Sequence, residues 1–128
     1  MSVIYNNTVK NSRLTVVLNA IDQGASFGTL ELQAANDDVL AIFTLPDPSG
    51  AVASQALTLD CTPPLSTVGT AAAGAGTDAT KARVKDSDGT VIISGLTAGE
   101  AATDIILDNS NIAEDQVVQL NSGVITHG

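Results

Sequence analysis

The chain has 128 residues, of which 44% are hydrophobic and 15% are charged, as in a single globular domain rather than a disordered tail or a coiled coil. Fourteen acidic residues against five basic ones give a net charge of −9, which disfavours binding to nucleic acids and to anionic membranes. The single cysteine excludes an internal disulfide. No signal-peptide pattern and no long apolar run is present, so we expect a protein made in the cytoplasm.

The first predicted element is a helix over about residues 8–23. Four apolar residues recur at the spacing of one helical face, namely Leu14, Val17, Leu18 and Ile21. Gly24 follows as a stop signal, and Asn7 or Ser12 is suited to cap the start. Alternate apolar residues in this segment also fit a strand, but the glycine stop favours the helix.

After Gly28 the hydrophobic period changes from 3.6 to two, which indicates β-strands. We predict about seven short strands, at residues 29–34, 38–45, 57–61, 80–85, 91–93, 105–107 and 118–124. The second is apolar on both faces and is expected to be central. Asp86-Ser87-Asp88-Gly89 predicts a hairpin turn.

Residues 62–79 are mostly small and are interpreted as a long connection or a closely packed segment. We therefore expect a polar arm at residues 1–7 and a single domain over 8–128. The predicted fold is mainly β, an antiparallel β-sandwich or jelly roll with one N-terminal α-helix.

The sequence offers little for catalysis, and we predict that the chain is not an enzyme, with no catalytic, cofactor-binding or metal-binding residue. The one histidine, His127, is the penultimate residue, where a positioned base is not expected. Cys61 alternates in phase with Leu57 and Leu59, which predicts a buried thiol. Asp104 and Asp108 lie too far apart along one strand, at about 13 Å, to act as a carboxylate pair.

The five basic residues fall into two groups. Lys81, Arg83 and Lys85 share one face of a predicted strand, and Lys10 and Arg13 share one face of the predicted helix. They are either a solvated outer surface that protects a sheet edge or a contact to acidic groups on a neighbouring subunit. All five are candidate protein-contact residues.

An ordered set of segments resembles a group of small tailed-bacteriophage virion proteins and covers nearly the whole chain. The segments are Gly28-Thr29-Leu30-Glu31-Leu32, Leu40-Ala41-Ile42-Phe43, Asp47-Pro48-Ser49-Gly50, residues 80–95, Asp104 to Asn109 and Ile125-Thr126-His127. The chain departs from that pattern at Glu114-Asp115-Gln116, where a glycine is expected before the glutamine.

The resemblance implies a head decoration or cement protein that binds the capsid exterior and bridges coat subunits. Its partner would be the major capsid protein, and no cofactor is expected. Because one small domain offers limited contact area, we also expect the chain to associate with itself, as a homo-oligomeric dimer or trimer. Two alternatives stay open: a tail or fibre-associated module, and a carbohydrate- or cell-surface-binding domain. Sugar sites often use stacked aromatic rings, and this chain has only three aromatic residues.

Overall fold

The computed structural model describes residues 5–24, 27–46, 48–61 and 65–126. These residues form one α-helix, eleven strands and a 3₁₀ turn at Ala71–Ala73. The helix is α1 (Asn7–Asp22), and the strands are β1 (Thr29–Gln33), β2 (Val39–Thr44), β3 (Gly50–Ala53), β4 (Ala56–Leu59), β5 (Leu65–Val68), β6 (Thr77–Asp78), β7 (Lys81–Lys85), β8 (Val91–Gly99), β9 (Ile105–Leu107), β10 (Asn111–Ile112) and β11 (Val117–Thr126).

The predicted class, a mainly β fold of sandwich type with one N-terminal helix, is confirmed. Nine strands form one sheet in which β2, β1, β7, β8, β9, β11, β4 and β3 follow one another, with β5 also paired to β11. All these pairs are antiparallel except β8 and β9, which are parallel. The remaining strands, β6 and β10, form a separate antiparallel pair.

The large sheet curls until its first strand approaches β5. Ala41 of β2 forms an antiparallel bridge with Gly69, which directly follows β5. The backbone N–H of Thr70 donates to the carbonyl of Leu40 at 2.8 Å, which extends the same contact. A Cβ on Gly69 would lie 2.0 Å from the carbonyl oxygen of Ala113, so only glycine permits this close approach.

Helix α1 begins as predicted, although neither expected residue caps it. The side chain of Asn6 accepts the backbone N–H of Val9 at 2.9 Å, which satisfies one of the free donors of the first turn. The helix packs on β3 and β4. Its ends are fastened there, because Asn11 accepts the N–H of Gln55 and Asp22 accepts that of Ser49.

The core is aliphatic, as the scarcity of aromatic residues requires. Phe43 is the largest fully buried side chain, and alternate residues of β1, β2 and β7 face it from the inner side of the sheet. Leu14 and Ile21 of α1 join the same cluster of buried residues. Tight packing of one large ring among aliphatic side chains makes the interior sensitive to truncation.

Several strands differ from the sequence-based prediction. Residues 65–68 form β5 and residues 77–78 form β6, within the segment predicted to be a connection. The strands β3 and β10 were not predicted either. The expectation that residues 38–45 form a central strand is wrong, since β2 ends the ladder and its Ile42 is 41% exposed.

Candidate functional site

The three basic residues of β7 face outward and meet acidic side chains within the chain. Arg83 Nε donates to Glu31 Oε1 at 2.6 Å, and Lys85 Nζ lies 3.2 Å from Glu31 Oε2. Lys81 forms an ion pair with Asp37, and this holds the pKa of the Asp37 carboxyl below its usual value. The antiparallel pairing of β1 and β7 places Arg83 directly opposite Glu31.

The two basic residues of α1 have different surroundings from those of β7. Among the described residues, Lys10 and Arg13 form no salt bridge. The Arg13 guanidinium instead stacks over the ring of Tyr5, 4.6 Å from its centroid. The first turn of α1 contains no acidic residue, so the positive end of the helix dipole adds to these charges.

Helix α1 also carries apolar residues on its solvent side. Val9 and Val16 are 39% and 68% exposed, and both lie on the face of Arg13, opposite the buried Leu14 and Ile21. We call Val9, Arg13 and Val16 the helix stripe. A surface helix normally keeps its apolar residues on one side, so a second apolar face indicates a further contact.

A second exposed apolar group crosses three neighbouring strands. Val68 of β5 pairs directly with Val117 of β11. The bridge between Ala41 and Gly69 places Ile42 opposite Val68 on the other side. These three side chains, which we call the apolar row, are 41–61% exposed and span about 10 Å across the outer surface.

Two further exposed large hydrophobic residues, Phe27 and Val91, lie at one end of the sheet. Val91 begins β8 and pairs with Lys85, which pairs in turn with Thr29. Phe27 precedes Thr29 by two residues and is 51% exposed. We call Phe27 and Val91 the turn end, because the turn between β7 and β8 lies there.

Acidic residues concentrate in the second half of the chain. From residue 86 onward there are seven acidic residues and no lysine or arginine, namely Asp86, Asp88, Glu100, Asp104, Asp108, Glu114 and Asp115. Glu114 is bridged to Gly69, and the N–H of Asp115 donates to the Gly69 carbonyl at 3.0 Å. An acidic turn therefore adjoins Val68 and Val117 of the apolar row.

The backbone explains why a glycine is expected before Gln116. Asp115 has a φ of 64°, in the left-handed region that glycine adopts without strain. The turn is kept by hydrogen bonds, since Gln116 donates to the carbonyl of Asn111 and accepts the N–H of Ala113. The chain thus makes the same kind of turn with a charged residue in the strained position.

The predicted turn between β7 and β8 is confirmed, and Asp86 organises it. One carboxylate oxygen of Asp86 accepts the backbone N–H groups of Asp88 and Thr90, each at 2.9 Å. The other accepts Gln23 Nε2 at 3.0 Å. These hydrogen bonds lower the pKa of the Asp86 carboxyl, and the bond from Gln23 has the largest effect. The Asp86 carboxylate therefore stabilises the turn.

Cys61 is buried, as predicted, next to an open pocket of about 400 Å³. The pocket is lined by Pro48, Gly50, Ala51, Thr58, Leu59, Asp60 and Cys61. Burial raises the pKa of the Cys61 thiol, and the neighbouring Asp60 carboxylate adds to the shift. The thiol is therefore protonated at neutral pH and is a poor nucleophile. His127 lies outside the described residues.

The carboxylates of Asp104 and Asp108 each accept hydrogen bonds from a neighbouring strand. Asp104 accepts the N–H and the hydroxyl of Thr97, and Asp108 accepts the N–H of Gln119 at 2.9 Å. Within the part of the chain that the structure describes, no group of three or more histidine, cysteine or acidic side chains could hold a metal ion. Nor does any described helix have the length and apolar character needed to span a bilayer.

Comparison with known proteins gives no relative: no protein-family model, no curated protein and no solved structure matches the chain.

Proposed function

We propose that this chain is a structural protein of a bacteriophage virion, which decorates the outside of the head and bridges neighbouring coat subunits. The observation that supports this role most is the occurrence of exposed apolar side chains at three separate places: the helix stripe, the apolar row and the turn end. A subunit of a cyclic trimer on a shell makes three contacts, one with each of two sister copies and one with the shell.

The charge distribution is consistent with the same role. The three basic residues of β7 pair with Glu31 and Asp37, which leaves twelve acidic and two basic residues in the rest of the chain. An acidic surface keeps a protein soluble at the high copy number that a shell requires. It also favours a coat partner with basic groups at the contact.

We assign the shell contact to the turn end. Phe27 supplies the largest exposed apolar side chain, and aromatic side chains are frequent at the centre of protein interfaces. The turn end is also separate from the helix stripe and the apolar row, so it is available to the coat protein when those surfaces bind sister copies.

The aromatic residues give little support to carbohydrate binding. Phe43 is fully buried, and one face of the Tyr5 ring is covered by Arg13. This leaves Phe27 as the open ring, whereas sugar sites often combine several stacked rings with polar groups. A contact between proteins can use the open Phe27 ring without further aromatic residues.

The proposal is tested by adding the purified protein to undecorated heads and measuring its occupancy by cryo-electron microscopy. We expect wild-type protein to bind the outer surface in symmetric groups. The double variant Phe27→Glu/Val91→Glu should lose occupancy. Ser94→Glu, which places an acid at an exposed position of the same strand as Val91, serves as the control and should bind like wild type.

Failure of wild-type protein to bind heads would contradict the decoration role, and binding to tails in the same experiment would support the tail alternative. Equal occupancy of wild type and the double variant on heads would leave the decoration role standing but would remove the turn end as the shell contact.

A further inference from the structure

We infer that copies of this chain associate head to tail, with the helix stripe of one copy bound to the apolar row and acidic turn of the next. This inference takes from the proposed function only its self-association. It rests on two surfaces of the same chain, which both expose apolar side chains and carry opposite charge.

The helix stripe supplies the apolar and basic partner. Val9 lies four residues before Arg13 and Val16 lies three residues after it, so both neighbour it on the same face of the helix. Stacking on Tyr5 restricts the Arg13 side chain, which lowers the entropy lost when it binds a carboxylate. No acidic partner of Arg13 or Lys10 occurs among the described residues.

The apolar row supplies the apolar and acidic partner. Val117 is its most exposed member, at 61%, and it directly follows the acidic turn that contains Glu114 and Asp115. Neither of these acids forms a salt bridge with another described residue. By contrast, Glu31 next to Ile42 is already bound by Arg83 and Lys85.

Charge decides between this arrangement and a two-fold dimer. Two helix stripes in contact would bring two Arg13 guanidinium groups together, and two apolar rows would bring two acidic turns together. Like charges across an interface cost several kcal/mol. A contact between the stripe and the row instead pairs Arg13 with Glu114 and Asp115.

Such a contact is heterologous, so it cannot produce a two-fold dimer. It closes into a ring of three or more copies if the rotation between neighbours allows, and otherwise forms an open chain. Of the dimer and the trimer expected from the sequence, it selects the trimer. Each surface has only three central side chains, and the area that they can bury is well under the roughly 800 Å² per partner of a standard interface. A single contact is therefore weak. Closure of the ring strengthens the association, because each copy is then held by two contacts.

The first test measures self-association in solution, without heads, by sedimentation velocity over a concentration series at low salt. We expect wild-type protein to associate, and Val16→Glu or Val68→Glu each to weaken association at least about tenfold. Thr15→Glu on α1 and Ser94→Glu on β8 introduce the same charge at exposed positions outside both surfaces. These controls should associate like wild type.

The second test mixes the two defective variants in equal amounts. Val16→Glu retains an intact apolar row and Val68→Glu retains an intact helix stripe, so the mixture should form one-to-one dimers that cannot grow. Circular dichroism and thermal melting establish that each variant is folded. Arg13→Glu and Asp115→Arg test the charge pairing: each variant alone should associate weakly, because like charges meet at its contact. Their mixture should associate beyond dimers, because both contacts between unlike copies then pair opposite charges.

Monomeric wild-type protein up to its solubility limit would overturn the inference. So would a mixture of Val16→Glu and Val68→Glu that stays monomeric while wild type associates, because that result requires a contact of another kind. Neither measurement involves heads, so a failed contact here is distinguishable from a failed decoration role.

Discussion

Two parts of the outer sheet surface contrast with each other. On β1 and β7, Lys81, Arg83 and Lys85 meet Asp37 and Glu31 of the same chain. On β2, β5 and β11, the three outward-facing residues of the apolar row are exposed to solvent. The charged side chains find partners of opposite charge within the folded chain, whereas the apolar side chains stay exposed to solvent.

The contrast shows that a group of charges in a sequence is a weak indicator of a protein contact. An exposed charge is well solvated by water, and a partner within the chain often neutralises it. Exposed apolar side chains in line across three strands have no such compensation, so they are the better candidates for binding. The contact role of Lys81, Arg83 and Lys85 stays a prediction, and their ion pairs favour a structural role.

The largest expected effect separates two neighbouring residues of β2. Phe43→Ala removes a fully buried ring and should lower the free energy of unfolding by about 3–5 kcal/mol. Ile42→Ala, at the exposed position before it, should change that free energy by about 0.5 kcal/mol or less. Denaturant unfolding of both variants measures the difference. Similar losses would contradict the assignment of the two faces.

The next effect concerns the charged part of the surface. Glu31→Gln leaves Arg83 and Lys85 without their acid and should lower the free energy of unfolding by about 1.5–3 kcal/mol, the usual range for hydrogen bonds to charged groups. Asp37→Asn removes an exposed partner of Lys81 and should have no measurable effect. A stable Glu31→Gln variant would return these cations to the role of free contact residues.

A smaller effect depends on pH. Because the folded-state pKa of Asp86 lies below its ordinary value of 3.8, ionised Asp86 stabilises the fold above that pH. This contribution should disappear as pH falls below about 4, toward the lowered folded-state pKa. Asp86→Asn should therefore be less stable than wild type at neutral pH, and the gap should narrow in acid. Thermal melting across the acid range measures it, and a gap independent of pH would contradict the role of the charge.

The smallest effect is at Asp115. Asp115→Gly relieves the left-handed backbone and should raise the free energy of unfolding by a few tenths to about 1 kcal/mol. The same change removes one acid beside the apolar row, so self-association should weaken while stability rises. Opposite shifts in these two quantities would separate the turn's geometry from its charge. A loss of stability would mean that the Asp115 side chain supports the turn.

Sequence reasoning predicted the elements whose patterns are strong. The spacing of Leu14 and Ile21 indicated α1, and the Asp86–Gly89 turn indicated the β7–β8 hairpin. The strands β3, β5 and β6 were missed because alanine, serine and threonine give no contrast between a buried and an exposed face. The position of β2 could not be read from its composition, because an exposed isoleucine and a buried one look alike in a sequence.

The candidate surfaces were only partly within reach of the sequence. Val9, Arg13 and Val16 recur at helical spacing, so the helix stripe could have been found beside the predicted inner face. The apolar row could not, because Ile42, Val68 and Val117 are far apart in the chain. Likewise, the partners of Arg83 and Lys85 depend on the register of β1 against β7, which only the structure gives.

The most direct test of the central claim compares two variants with the same change in charge. Val68→Glu in the apolar row and Lys81→Gln on β7 each lower the net charge by one. Cryo-electron microscopy of undecorated heads, incubated with each folded variant, measures occupancy. We predict that Val68→Glu loses most of its occupancy, because it breaks the contact between copies, and that Lys81→Gln binds like wild type. Normal occupancy of Val68→Glu together with loss of Lys81→Gln would contradict the claim and restore the basic strand as the contact surface.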